Sequence, residues 1–420
     1  MIVKSNWYNV LGFGTAICVT TTFAAAALPA LDEYTGISSS SLSGAVTSVG
    51  GGIVTKIIGG EDILQTIVVP LNAGDRTRIH SVGNALDAIF QELGMRVPNE
   101  LLPIMAEYES PLRVCVLSRN MVSAIDLATR SRVDISLAAA ASSATLAGTN
   151  LYLPNYHLNT VSVINTASNT RGADIIVGYG SISVTLVGVH LYVLNSRSNS
   201  VSVINTTTNT KVGVDISVGD GPISAAFVGR YLYVFSDTVS VIDTMTNTKI
   251  GSDINVGDRP IFATLVGTNL YVVNRNSRNI SVIDTINNTK VDADIPVGYS
   301  PRSATLAGKH LYVLSDTLSV IDTITNTKTG ADIQVGYGTQ SAILVGRHLY
   351  VLSNAVSVID TTTNTKVADI PVGVRPISAT ILGDNLLVTC SDGLYLMDLD
   401  KLETQLRTVM SVVASSASSS

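Results

Sequence analysis

Histidine, the carboxylates and cysteine carry most acid–base, nucleophilic and metal chemistry, and this chain disperses them. The five histidines are His80, His157, His190, His310 and His348. Three of them, His190, His310 and His348, stand immediately before the same Leu-Tyr-Val string, where other copies of that string have Asn150, Tyr231, Asn269 or Asn385. A place that accepts His, Asn and Tyr alike reads as a polar hairpin tip. Copies in separate units do not converge on one metal ion. No glutamate occurs between Glu109 and Glu403, so most of the chain lacks the carboxylate whose pKa is most readily raised for proton transfer. Cys18, Cys115 and Cys390 are too few and too scattered for a disulfide framework, and no C-x-x-C occurs. The patterns H-E-x-x-H and G-x-S-x-G, the phosphate loop and the EF-hand loop are missing as well. Asp215, Asp253, Asp294 and Asp332 recur at one place, but without the alternation and glycine of a calcium loop they read as turn-stabilising groups. No catalytic residue, metal or cofactor is expected from these patterns, and the protein is expected not to be an enzyme.

What positions these residues is a repeat. Anchored on the Leu-Tyr-Val string, units begin their second segment at Val114, Leu151, Leu191, Leu232, Leu270, Leu311, Leu349 and Leu386, at intervals of 37 to 41 residues. A proline at Pro222, Pro260, Pro301 or Pro376 precedes four of the eight anchors by ten residues, and Pro103, eleven before Val114, extends the series to a degenerate first unit. Each unit holds four short β-type segments, such as "RSATLAG", "HLYVLS", "LSVIDT" and "ADIQVG" after Pro301. In "HLYVLS", Leu311 and Val313 face one way and Tyr312 and Leu314 the other, so both faces of the sheet must be covered. The composition agrees, with 46% hydrophobic and only 14% charged residues. The expected fold is an all-β propeller of four-stranded antiparallel blades, eight in number with seven as the alternative. In the third-to-fourth turn "DTITNTK", Asp322 is placed to accept backbone N–H groups and Asn326 to adopt a left-handed backbone.

The ends read differently. Residues 1–30 form an export signal or N-terminal anchor: Lys4 precedes an uncharged run from Trp7 to Leu31, with a small-residue cleavage site at Ala24 to Ala27. Residues 31–102 are assigned to a Ser/Gly-rich linker over 36–52 and a small helix-containing segment. In the latter, Val82, Leu86, Ile89, Phe90 and Leu93 share one helical face. The propeller is assigned to 103–413 and a Ser-rich tail to 414–420. The net charge of −6 and the lack of a basic run argue against nucleic acid as a partner.

The strings "YVVNRNSRNISVIDTINNTKVDADIPVG" (Tyr271 to Gly298), "YVLN" at Tyr192 and a second "IPVG" at Ile370 resemble the YVTN family of β-propeller repeats. The resemblance spans about 300 residues. It implies an exported, cell-surface interaction module. Related propellers also occur in lactonases and redox enzymes, so the fold alone leaves catalysis open.

In a propeller, the fourth-to-first and second-to-third connections share one face. The first set contributes Tyr179, Asp220, Asp258, Arg259, Tyr299, Arg302, Tyr337 and Arg375. The second set contributes Tyr156, His157, Arg197, Arg275 and Arg278 from its long loops. Tyr and Arg supply binding energy at low entropic cost. The expected function is an exported, extracellular or cell-surface module that binds a protein or glycan on this face, with membrane contact only through the N-terminal anchor. The alternatives are a lactonase-like or redox-associated propeller enzyme with a site at the channel mouth, and a self-assembling surface-coat subunit.

Overall fold

Strings that are apolar on both faces fold as sheets stacked against sheets. In the computed structural model the described residues are 3–4, 46–49, 52–59, 62–70, 112–118, 121–126 and 131–404, apart from 140, 142, 340, 383–384, 391–392 and 403. They form eight antiparallel sheets, here called blades 1 to 8 in chain order. Blade 5 shows the common plan: Pro260–Val266 innermost, then Asn269–Asn274, Asn279–Asp284 and Thr289–Pro296 outermost. Inner strands of successive blades lie side by side from Thr145–Ala147 of blade 2 to Pro376–Leu382 of blade 8. Strand Gly52–Gly59 of blade 1 touches both of these, which closes the ring.

Alternation decides the packing as the sequence predicts. Leu311 and Val313 join Tyr271, Val273, Ile280 and Val282 between blades 5 and 6. Tyr312 and Leu314 join Leu349, Val351 and Ile359 between blades 6 and 7. Burying a Leu or Val side chain is worth about 1.5–3 kcal/mol, so each joint is a continuous apolar layer that no single blade could supply.

Blade 1 departs from the expected boundary. Its inner strand is Asp62–Pro70, which pairs with Leu112–Ser118, and the hairpin Val46–Val49/Gly52–Gly59 extends the same sheet inward. The ring therefore draws on chain upstream of residue 103. The run "DILQTIVVP" is β-branched enough to form that strand but carries none of the repeat text by which the units were aligned. The helix over 81–93, the uncharged run 7–31 and the tail 414–420 lie outside the described residues. Of residues 1–30, only Val3–Lys4 is described, and it pairs with Leu396 and Tyr395 on the outer side of Gly393–Asp398 in blade 8. Among the described residues no helix is long and apolar enough to cross a membrane.

Two polar networks fasten the blades. The first runs within a blade and into the joint behind it. In blade 3, Lys211 pairs with Asp215 at 2.7 Å, Asp215 accepts from the Ser202 hydroxyl at 2.5 Å, and Asn195 Nδ2 donates to the same Ser202 Oγ at 2.9 Å. Gly178, at the end of blade 2, completes the set by donating its N–H to Ser202 Oγ at 3.1 Å. This corrects the reading of Asp215, Asp253, Asp294 and Asp332 as turn groups. In blades 3 to 5 a bulge in the outer strand re-aims the carboxylate across the sheet at a buried serine, Asp332 reaches Ser319 from beyond the short strand Thr327–Lys328, and the recurring lysine neutralises each. The turn role falls to Asp322. It accepts the N–H groups of Ile324 and Thr325, and the Lys309 ammonium beside it holds its carboxyl down at about 2.

The second network crosses the five joints from blade 2 to blade 7. The tyrosine of the second strand is fully buried and donates its hydroxyl to the turn asparagine of the next blade. The pairs are Tyr152 to Asn209, Tyr192 to Asn247, Tyr233 to Asn288, Tyr271 to Asn326 and Tyr312 to Asn364. All five asparagines sit at φ near +55°, the left-handed region that asparagine tolerates best after glycine.

Close approach at the joints fixes one glycine per blade. Gly298 donates its N–H to Ser319 Oγ of the next blade at 3.1 Å, and a Cβ there would lie 2.3 Å from Ser315 Oγ and Thr317 Oγ1. Gly298→Ala is expected to destabilise the protein by about 2 kcal/mol through this overpacking. Urea unfolding checks it, and a loss below about 0.5 kcal/mol would show that the joint yields freely.

Candidate functional site

The loops on one face are tied together by backbone hydrogen bonds. In blades 3 to 6, the second-to-third loop donates to the connection entering that blade: Arg197 N to Tyr179 O, Asp237 N to Asp220 O, Arg275 N to Arg259 O and Asp316 N to Tyr299 O, all between 3.0 and 3.1 Å. The two sets of loop residues singled out in the sequence thus form one surface, held by the framework behind it.

The structure gathers these residues into two groups. Between blades 2 and 3, the Arg197 guanidinium lies 4.9 Å over the Tyr156 ring, Tyr156 meets His157 edge-on at 5.2 Å, and Arg197 is bound to Tyr179 through the backbone. Between blades 4, 5 and 6, Arg259 and Arg275 share a backbone bond, and Asp258 N donates to Ser277 Oγ at 2.6 Å. Arg275 Nε reaches Ser300 Oγ at 3.3 Å, and the Arg278 guanidinium stacks 3.8 Å over Tyr299. Arg302 follows two residues after Ser300. Asp220 is taken up by Asn199 Nδ2 at 2.5 Å, in neither group. Tyr337 is 85% exposed, and neither it nor Arg375 makes a side-chain contact with another candidate residue among the described residues.

Backbone conformation separates framework from candidate ligand-binding positions. At the second residue of the connection between blades, three joints have glycine at positive φ: Gly180, Gly221 and Gly338. Two others hold Arg259 (φ 55°) and Arg375 (φ 51°) in the same left-handed region, and a sixth holds Ser300 (φ 53°). For a side-chain-bearing residue other than Asn or Asp this costs roughly 1–2 kcal/mol. A parallel exchange occurs in the long loops. Asn159 and Asn199, at φ 57° and 50°, accept the N–H of Gly180 and Gly221 through their side chains at 2.9 and 3.0 Å. The equivalent residue of blade 5 is Arg278 at φ 55°, whose guanidinium lies on Tyr299 instead. Three arginines therefore occupy strained positions where most sister blades use glycine or asparagine, and Ser300 is the one other strained residue in these columns. Such outliers concentrate at functional sites.

Charge is sorted between the two faces. The outer-strand cations are neutralised in place: Lys211, Lys249, Lys290 and Lys328 each pair with an aspartate at 2.7 Å, and Lys366 pairs with Asp369 at 2.9 Å. On the opposite tips, Lys309 pairs with Asp322 and Arg230 with Asp243. Among the described residues, Arg197, Arg259, Arg275, Arg278, Arg302 and Arg375 form no ion pair with a carboxylate, and the loops of this face contain no lysine. No group of three or more His, Cys, Asp or Glu side chains among the described residues is placed to hold a metal ion.

Sequence reasoning missed Ser300, Ser277, Asn159 and Asn199. Aligning the units position by position exposes them, because the same columns hold glycine, asparagine, serine or arginine.

No family model and no curated protein matches this chain. Similar solved structures exist. The dihydro-heme d1 dehydrogenase NirN, in complex with DHE, is 15% identical, with a TM-score of 0.52 over 63% of this chain and 65% of its own. This chain thus spans less than two thirds of that protein. BamB from Moraxella catarrhalis is 12% identical, with a TM-score of 0.52 over 68% of this chain and 90% of its own. The computationally designed Ika8 protein is 10% identical, with a TM-score of 0.51 over 68% and 93%. Fold and similarities together make this chain a β-propeller. At such identities they extend the architecture alone.

Proposed function

We propose that the protein is an exported, non-catalytic β-propeller of YVTN type that binds a macromolecular partner on the face carrying the second-to-third and fourth-to-first loops. The observation that carries this reading is the placement of Arg259, Arg278 and Arg375 at left-handed positions that sister blades fill with glycine or asparagine, or in one joint with Ser300. A framework residue is selected to fit its backbone, whereas a contact residue is retained in spite of it. Exposed tyrosines and arginines on a rigid support are also the composition of binding hot spots. Export rests on the uncharged run behind Lys4.

The strain makes the test sharp. Replacing Arg259 and Arg375 by glycine relieves the left-handed cost, and the flexibility of glycine offsets part of that gain. The double variant is therefore expected to be as stable as the parent or more so, by up to about 1 kcal/mol. It is expected to lose at least tenfold in partner affinity, read by crosslinking the purified protein to surface fractions of its host and then titrating the partner so identified. Undiminished binding in a stable variant would move the site elsewhere.

A further inference from the structure

Resting on that reading of the loop face, we infer that the arginine cluster at the joint of blades 5 and 6 docks an acidic polypeptide segment of a partner protein, with the segment's carboxylates on Arg259, Arg275, Arg278 and Arg302.

Position comes first. The Arg275 backbone is bound to Arg259, its Nε reaches Ser300, and Arg278 lies over Tyr299, so two guanidinium groups are tethered at one joint, with the Arg259 backbone fixed beside them and Arg302 two residues after Ser300. The nearby carboxylates are Asp258 and Asp316, fewer than the arginines, and neither forms an ion pair among the described residues. A chain of net charge −6 thus concentrates positive charge here, although its outer-strand lysines are each neutralised by a neighbouring aspartate. Unpaired guanidinium groups on a fixed backbone are suited to bidentate recognition of carboxylates.

Side-chain type favours a protein over an acidic glycan. Every described lysine lies away from the loops of this face, and its cations are all arginine, interleaved with Tyr179, Tyr299 and Tyr337 that are each more than 60% exposed. Protein interfaces are enriched in arginine and aromatic residues and depleted in lysine. A surface that only gathered polyanions would use lysine equally, because a point charge suffices for that purpose.

The experiment uses the full chain and two probes: a fluorescent decaglutamate peptide and polygalacturonate, an acidic glycan. Fluorescence anisotropy is expected to show peptide binding that weakens at least tenfold between low and moderate salt, as exposed charge pairs do. Arg275→Glu with Arg278→Glu is expected to reduce affinity at least thirtyfold, whereas Arg197→Glu, in the other group, is expected to change it less than threefold. Circular dichroism of each variant reports whether the fold is retained, and Arg275→Gln with Arg278→Gln provides a milder second pair. Peptide binding lost in Arg197→Glu but kept in the double variant would overturn this assignment and leave the loop-face reading standing. Tighter binding of polygalacturonate than of peptide would overturn the protein partner and again leave the face. Peptide binding untouched by any loop-face change would overturn both, and failure of the peptide to bind would overturn the acidic segment alone.

Discussion

Raising the pH from 10 to 12 is expected to strip the propeller of much of its stability. Tyr192, Tyr233 and Tyr312 are fully buried, and burial pushes each phenol up to about 12, with the nearby charges of Asp243, Asp284 and Asp360 respectively adding to it. The folded state holds these protons where the unfolded chain, titrating near 10, releases them. Stability is therefore fully present below pH 10 and is lost as the pH rises toward 12. A shift of this size corresponds to on the order of 2 kcal/mol per tyrosine. Three such groups remove on the order of 5 kcal/mol, a large share of the roughly 5–15 kcal/mol that holds an ordinary domain. Urea midpoints measured from pH 9 to 12, with phenolate absorbance followed in parallel, check this. Changing all three tyrosines to phenylalanine is expected to flatten the pH dependence. Loss of the Tyr192, Tyr233 and Tyr312 protons near pH 10 in a folded protein, read as the difference in phenolate absorbance between the parent and the triple phenylalanine variant, would contradict the buried hydroxyls.

Asn326→Ala is expected to destabilise the protein by about 3 kcal/mol. Asn326 sits at φ 55°, where alanine is strained by roughly 1–2 kcal/mol, and it accepts the hydroxyl of buried Tyr271 across the joint between blades 5 and 6. Losing that acceptor costs about 1 kcal/mol more, since Thr323 O at 3.2 Å still offers Tyr271 a partner. Asn326→Gly keeps the backbone and removes only the acceptor, so its cost is expected to be about 1 kcal/mol. A double-mutant cycle with Tyr271→Phe isolates the coupling between the two residues. Equal losses for the alanine and glycine variants would show that the backbone plays no part.

The pairs behind these predictions show what a linear reading reaches. The two-faced strand around Tyr312 was legible, because alternation within five residues fixes which side chains meet which neighbour. The left-handed backbone of Asn326 was legible too, from the turn it occupies. That these two residue types clasp each other between blades was not. Each has a sufficient local explanation, and the partner stands more than fifty residues away in another repeat. Asp294 was misread for a related reason: its bulge turns it from the edge toward Ser281, and the column that marks the bulge, Gly213, Gly251 and Gly330 in sister blades, holds Asp292 at the same positive φ here. The inner strand of blade 1 was missed because Asp62–Pro70 shares no text with the other units. On the loop face, the residue types were legible but their grouping was not. Arg278 and Tyr299 come from different connections, and only the ring places one ring face under the other's guanidinium.

Every tyrosine-to-asparagine clasp points the same way along the chain, with the acceptor 52 to 57 residues downstream of the donor. On a ribosome, each new clasp can form only when the following repeat has emerged. At about 5–20 residues per second that is roughly 3–10 s after its tyrosine. The nascent chain would therefore lock its sheets one after another behind the exit tunnel, always leaving a single greasy flank waiting for its neighbour.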